Sequence, residues 1–420
     1  MTRIVSVAAR QLLDCKARPM VEVELRSADG SLARGAAPTG QSVGIHEAAV
    51  LRDGDPADYH GLSVHSVVAN VLDVIAPAIT GRDFGDQDAF DRLLLELDGT
   101  ADKSRLGANA VYSTSVAFLR LQAADAGIPV YRHIARGPLR TIPVPAFNVV
   151  NGGRAGNIVQ PFNEFLIVPV GADDVHDAVR MGVTIFQVLG DVIHGATGRP
   201  VGVGSSYGYL APSSDPAVVL DLLEAAVHEA GFDGRVSFAL DCASSAFYDA
   251  DRGTYRYADA EVTASELIER VRELTEAHPL LFVEDLLDED DWAGFSLATA
   301  RLTRTSVLGD DLIVTNQTRL QRAIDERAID GFILKPNQVG TITEALETHE
   351  LALANGLIST PSGRSGGVVD DIVMDLGVGL QVPFQKNGAP RSGERIEKLN
   401  FLMRAADDIP GSELARVSSR

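Results

Sequence analysis

The apolar run Gly331-Phe332-Ile333-Leu334 ends in Lys335-Pro336-Asn337-Gln338. Three earlier runs end in carboxylates instead: residues 236–240 before Asp241, 280–283 before Glu284-Asp285, and 307–309 before Asp310-Asp311. Carboxylates brought together from successive strand ends repel one another unless a counter-ion neutralises them. Oxygen-only donors favour a hard divalent cation, so Asp241, Glu284 and Asp310 predict a Mg2+ site. Lys335, in a dry pocket beside other cations, is expected to lose its proton more readily and to act as a base. An acidic loop that merely solubilises a strand end explains any one of these segments, but three in a row followed by a lysine call for a site.

Such residues need elements that carry them to one place. Short apolar runs followed by helical patterns are how buried parallel strands look in sequence, and the C-terminal lip of such strands in a barrel is where chemistry is done. Thr341 and Glu344 read as a helix N-cap pair just after Lys335. Upstream, Asp215-Pro216 and Thr263 with Glu266 start two further helices. Their stripes, Val219/Leu223/Ala226/Val227 and Leu267/Val271/Leu274, face inward. Residues 4–9, 20–25 and 32–33, with a turn at Asp29-Gly30, read as a small antiparallel meander, and residues 60–130 as mainly helical. The closely spaced prolines of Thr141-Ile142-Pro143-Val144-Pro145 read as a linker. They divide the chain into an N-terminal α+β domain over residues 1–140 and an α/β barrel domain over 141–420, with strand and helix alternating to the end.

A chain of 420 residues accommodates this arrangement. Its formal charge of −21 argues against nucleic acid, whose phosphates need a basic face. Small anionic substrates remain compatible, because a cation and a few bases reverse the potential inside one cleft. With Cys15 and Cys242 as the two cysteines, no disulfide framework is expected. No apolar run reaches membrane-spanning length and no signal pattern opens the chain, so a cytoplasmic protein without a membrane partner is expected.

The segments Leu240-Asp241-Cys242, Val283-Glu284-Asp285, Gly309-Asp310-Asp311-Leu312 and Leu334-Lys335-Pro336-Asn337-Gln338-Val339-Gly340 resemble enolase, and the similarity runs from Val21 to Arg395. It implies an enolase-type (β/α)8 barrel behind an N-terminal α+β capping domain, Mg2+ as cofactor, a phosphorylated or phosphonate small-molecule substrate, and a homodimer. In the family, the lysine at position 335 removes the proton next to the substrate carboxylate. The resemblance further implies that Arg364 and Ser365 bind phosphate, that Lys386 holds the carboxylate, and that Glu164 is a catalytic pocket glutamate. Ser42, in the glycine-rich lid segment 38–47, would bind substrate and join a second Mg2+.

Three positions depart from that pattern. Ala155 and Gly363 stand where the family has histidines, and Tyr207 stands where it has the glutamate that acts as general acid. Tyr207 is the remaining proton donor at that place, and an unperturbed phenol is a far weaker acid than a carboxyl group. The base, metal ligands and anion clamps are thus retained, while groups that handle the departing hydroxyl are missing. The reading that follows is a specialised enzyme that makes an enolate of a 2-phosphoglycerate or phosphoenolpyruvate type of acid, similar to carboxyphosphonoenolpyruvate synthase. The alternatives are ordinary 2-phosphoglycerate dehydration and a non-catalytic binding protein.

Overall fold

The computed structural model describes residues 1–40, 44–154, 156 and 158–417. Strands Thr2–Leu13, Pro19–Ser27 and Leu32–Ala36 form the expected antiparallel meander, and Asp83–Phe84 adds to the free edge of the first. Alternation along the second strand sends Val21, Val23 and Leu25 inward to a buried core. Helix Ala108–Asp125 lies on that face. It comes so close that a side chain at Gly35 would collide with the Ser113 backbone, which is why a glycine stands there.

Eight strands make the barrel, in the order Ile358–Pro361, Gly331–Leu334, Ser306–Gly309, Leu280–Glu284, Ser237–Asp241, Gln160–Val168, Val144–Gly153 and Phe384–Lys386. A parallel bridge between Ser362 and Lys386 joins the two ends of that row. The alternation of strand and helix fails at the start. Val144–Gly153 is followed directly by Gln160–Val168, which runs antiparallel to both neighbours, and helices Val175–Thr197 and Pro216–Glu229 then follow in succession. A direct strand-to-strand connection must reverse direction, whereas a crossover helix restores it.

Pro143 separates strand Thr141–Ile142 from Val144–Gly153 as expected, whereas Pro145 does not break the structure. Pro145 lies within Val144–Gly153, in register with Gln385 of the parallel neighbour. Pairing with the antiparallel neighbour begins only at Phe147 opposite Ile167, so its missing N–H falls outside that ladder.

The outer helices carry the predicted starts. Asp215 accepts from the Ala217 N–H at 3.0 Å, and the Thr263–Glu266 capping box makes both of its bonds. Caps of this kind contribute about 1 kcal/mol each. The predicted stripes Val219/Leu223 and Leu267/Val271 are buried against the strands. The N-terminal unit also grips the barrel near Lys335. Ser115 Oγ accepts from Ile342 N–H at 3.0 Å, Asp91 from Thr343 N–H at 3.0 Å, and Lys103 pairs with Glu344 at 2.7 Å.

Candidate active site

The strand ends bring the predicted residues to one lip. Asp241 and Glu284 close their strands, and Asp310 and Lys335 follow theirs directly. The strands carrying Asp241, Glu284, Asp310 and Lys335 are adjacent in the sheet. A cavity of about 300 Å³ opens at this lip, and Glu164, Asp241, Asp310, Lys335, Arg364 and Lys386 are among its walls, as is Ser365. Glu284 lies behind the wall and is fully buried.

Two ammonium groups hold the carboxylates together. Lys386 Nζ is 2.5 Å from Glu284, 3.2 Å from Asp241 and 3.8 Å from Glu164. Lys335 Nζ pairs closely with Asp310, whose other oxygen accepts from Gln338 Nε2 at 2.9 Å. Gln338 in turn accepts from Thr315 Oγ1, and Thr315 Oγ1 accepts from the Lys335 N–H at 2.9 Å. This closed ring of bonds fixes Lys335 against the carboxylate beside it.

The ion pair reverses the expected titration of Lys335. Burial favours the neutral amine, but the Asp310 and Glu284 carboxylates together outweigh it and hold the lysine above its ordinary value. Asp310 shows the converse: burial pushes its acid up, yet Lys335 and Lys386 hold it below the usual range. Burial also raises Glu284 well above the ordinary carboxyl value, with Asp241 adding to the effect and Lys386 opposing it.

The residues expected to clamp anions, Arg364 with Ser365 and Lys386, all line the cavity. Arg364 holds both oxygens of Glu47 through its two terminal nitrogens, at 2.9 and 3.0 Å. Ser365 Oγ is buried with no hydrogen-bond partner. Tyr207 is placed differently from the expectation of a proton donor in the cavity. Its hydroxyl donates to the Cys15 carbonyl at 2.9 Å, and it is not among the cavity walls. Burial and the contact with Cys15 raise its phenol above the ordinary value, which weakens it further as an acid. Ser42 and Ala155 lie outside the described residues.

Residues 4–134 match the family model "Enolase, N-terminal domain", and residues 139–416 match "Enolase, C-terminal TIM barrel domain". A Methanopyrus kandleri protein named Enolase is 43% identical over 417 residues, covering 98% of this chain and 97% of the relative. The chain belongs to the enolase family. A Thermococcus kodakarensis Enolase is 41% identical over 413 residues, covering 97% of this chain and 95% of its own length. A Corynebacterium kroppenstedtii Enolase is 39% identical over 408 residues, covering 96% and 95%.

The residues of this enolase-family site fit a hard divalent cation. All donors from the three strand ends are carboxylate oxygens, and Glu284 Oε1 is buried with no hydrogen-bond partner. A cation there would replace Lys386 as the counter-charge of Asp241 and Glu284. The carboxylates of Asp285, Asp310 and Asp311 come still closer, within 4.8 Å of one another. Asp285, however, spends both oxygens on the backbone N–H groups of Asp310 and Asp311, at 2.8 Å each. It is therefore a bracket for the loop that carries Asp310, not the better ligand.

Asp285 was quoted in the sequence motif without a role, and Gln338 likewise. Their function rests on hydrogen bonds to residues 25 and 28 positions away, which no local pattern reveals. Glu47 falls in the lid segment 38–47, and its partner Arg364 is 317 positions distant. Asp311 carried a signal, since it repeats the acidic strand end. Burial and the adjacent Asp310 push its carboxyl up to about 7. Among the described residues no helix is long and apolar enough to cross a membrane.

Proposed function

We propose that this chain is a Mg2+-dependent lyase that converts a 2-phosphoglycerate type of acid to the corresponding enol phosphate through an enolate. The observation that carries the reading is Lys335 paired with Asp310 at the mouth of a cavity walled by Asp241, Glu164, Arg364 and Lys386. Asp241, Glu284 and Asp310 would hold the metal. When bound, Mg2+ supplies the positive charge that stabilises an enolate and relieves Lys335 of its ion pair.

The chain's own groups then divide the work. Lys386 neutralises the substrate carboxylate, and Arg364 with Ser365 binds the phosphate. Lys335 Nζ takes the proton from the carbon next to the carboxylate. Departure of the hydroxyl needs a proton, and Glu164 is the group best suited to give it. Burial raises its carboxyl above the ordinary value, against the pull of Lys386, which favours a protonated acid at the cavity wall.

Relatives named Enolase at 39–43% identity support dehydration over the specialised reaction expected from Ala155, Tyr207 and Gly363. The specialised reading keeps one observation in its favour: the Tyr207 hydroxyl is engaged by Cys15 and turned to a structural use. Purified protein with Mg2+ and 2-phosphoglycerate, followed by ultraviolet absorbance of phosphoenolpyruvate, decides between them. Turnover at ordinary enolase rates is expected. Exchange of the C2 proton with solvent deuterium, without product, would instead favour the specialised reading.

A further inference from the structure

Helix Gly393–Asp408 presents Glu394, Arg395 and Lys398 to the cavity side of the barrel, each about 95% buried. All three lie in space that a side chain would otherwise fill. A Cβ at Gly363 would stand 2.3 Å from Lys398 Nζ, and one at Gly367 would stand 2.2 Å from Glu394 Oε1. One at Gly388 would collide with a terminal nitrogen of Arg395. Gly363 is where the family resemblance implies a histidine, so the ammonium of Lys398 occupies the vacated room.

The charges are not arranged symmetrically about the cavity. Arg154, Arg395 and Lys398 are among its walls, whereas Glu394 and Asp371 are not. Those two carboxylates pair with Lys398 from behind, Asp371 at 3.4 Å. Arg395 lies 5.3 Å from the Tyr207 ring centroid, a neutral ring where the resemblance implies a carboxylate, and its Nε is 3.7 Å from Glu394 Oε2. Its Nε is buried with no hydrogen-bond partner. Ser206 also lines this side, along with Gly363 and Gly388.

We propose that Arg395 and Lys398 form a second anion-binding subsite in this cavity, one that takes a tetrahedral oxyanion, phosphate or phosphonate. The inference rests on the phospho-acid reading given above and adds to it: the complete ligand set carries one more oxyanion than a three-carbon phospho-acid. A guanidinium offers a fork for two oxygens and an ammonium offers a point charge for a third, which suits a tetrahedral anion better than a planar carboxylate. The missing side chain at Gly363 leaves the ammonium accessible, and the carboxylates behind it hold it in place.

Calorimetric titration of inorganic phosphate into the metal-free full-length protein tests this. Two phosphates per chain are expected. Lys398→Gln and Arg395→Gln should each weaken one of them roughly tenfold or more and leave the other unchanged, and Arg364→Gln should do the reverse. Lys398→Gln strips the counter-charge from Glu394 and Asp371, so Gly363→Ala is run beside it. That variant keeps every charge and displaces only the ammonium, and it should weaken the same phosphate several-fold.

A single phosphate per chain, lost with Arg364→Gln alone, would overturn the subsite and leave the phospho-acid reading standing. A second phosphate indifferent to Lys398, Arg395 and Gly363 is an adventitious ion only and overturns it equally. Loss of one phosphate with Lys398→Gln while Arg364→Gln changes nothing would support the subsite and count against the assignment of Arg364. Repeating the titration with saturating 2-phosphoglycerate and Mg2+ identifies the source of the anion. Phosphate that still binds in a Lys398-dependent way marks a separate oxyanion and supports the site. Phosphate expelled by 2-phosphoglycerate shows that the three-carbon acid already fills it and overturns the additional oxyanion.

Discussion

Lys386 Nζ stands 2.5 Å from Glu284 Oε2, an ammonium seated among carboxylates at a strand-end lip whose chemistry suits a divalent cation. This lysine is the counter-charge of both Glu284 and Asp241. Mg2+ binding would free it to face a substrate carboxylate, so that one exchange of partners prepares both the metal site and the anion clamp.

Saturating Mg2+ should therefore raise Tm. A ligand present at about 100 times its Kd adds about 2.7 kcal/mol to stability. Glu284→Gln should weaken Mg2+ binding by about tenfold or more and so remove about half of that increment or more. Differential scanning calorimetry with and without Mg2+ measures both, and an undiminished increment in the variant would refute Glu284 as a ligand.

Lys335→Met should lower turnover by about 10²- to 10⁴-fold or more and abolish solvent deuterium exchange at the carbon next to the carboxylate. Proton NMR of the recovered substrate reads the exchange. Persistent exchange in the variant would move the base elsewhere.

Glu164→Gln and Tyr207→Phe should separate cleanly. The first is expected to keep C2 exchange while losing product formation by about 10²- to 10⁴-fold. The second removes one hydrogen bond to the Cys15 carbonyl, worth about 0.5–1.5 kcal/mol, and should lower Tm slightly with kcat within a few-fold of wild type. If Tyr207→Phe abolishes turnover while Glu164→Gln does not, the acid is the tyrosine.

Asp375 supplies a pH test away from the metal ligands. Burial pushes its carboxyl up to about 7, against the pull of Arg120. The folded state thus holds a proton that the unfolded state releases near pH 4, so this group's contribution to stability falls as pH rises from about 4 to about 7. Asp375→Asn keeps the acceptor for the Tyr131 N–H and removes the titration. The Tm difference between variant and wild type should grow in the variant's favour from pH 5 to pH 8. A constant difference would show that Asp375 does not titrate there.

The positions of Asp241, Glu284, Asp310 and Lys335 were legible in the sequence because each depends on a local event, an apolar run and the residue that ends it. Helix starts at Asp215, Thr263 and Thr341 were legible for the same reason: a cap acts within one turn. The antiparallel run of Gln160–Val168 was not, because strand direction is settled by which neighbours the closed barrel offers, and the paired residues look alike either way.

What only the tertiary structure decided is which charge answers which. Lys386 meets Glu284 across 102 positions, Arg364 meets Glu47 across 317, and the Tyr207 hydroxyl meets the Cys15 carbonyl across 192. The types of those residues were plain from the start, but a buried charge takes the direction of its titration from its nearest partner. Hence the sequence named Lys335 as the amine at the lip, while only the folded barrel showed that it pairs with Asp310, a carboxylate that pushes its titration upward.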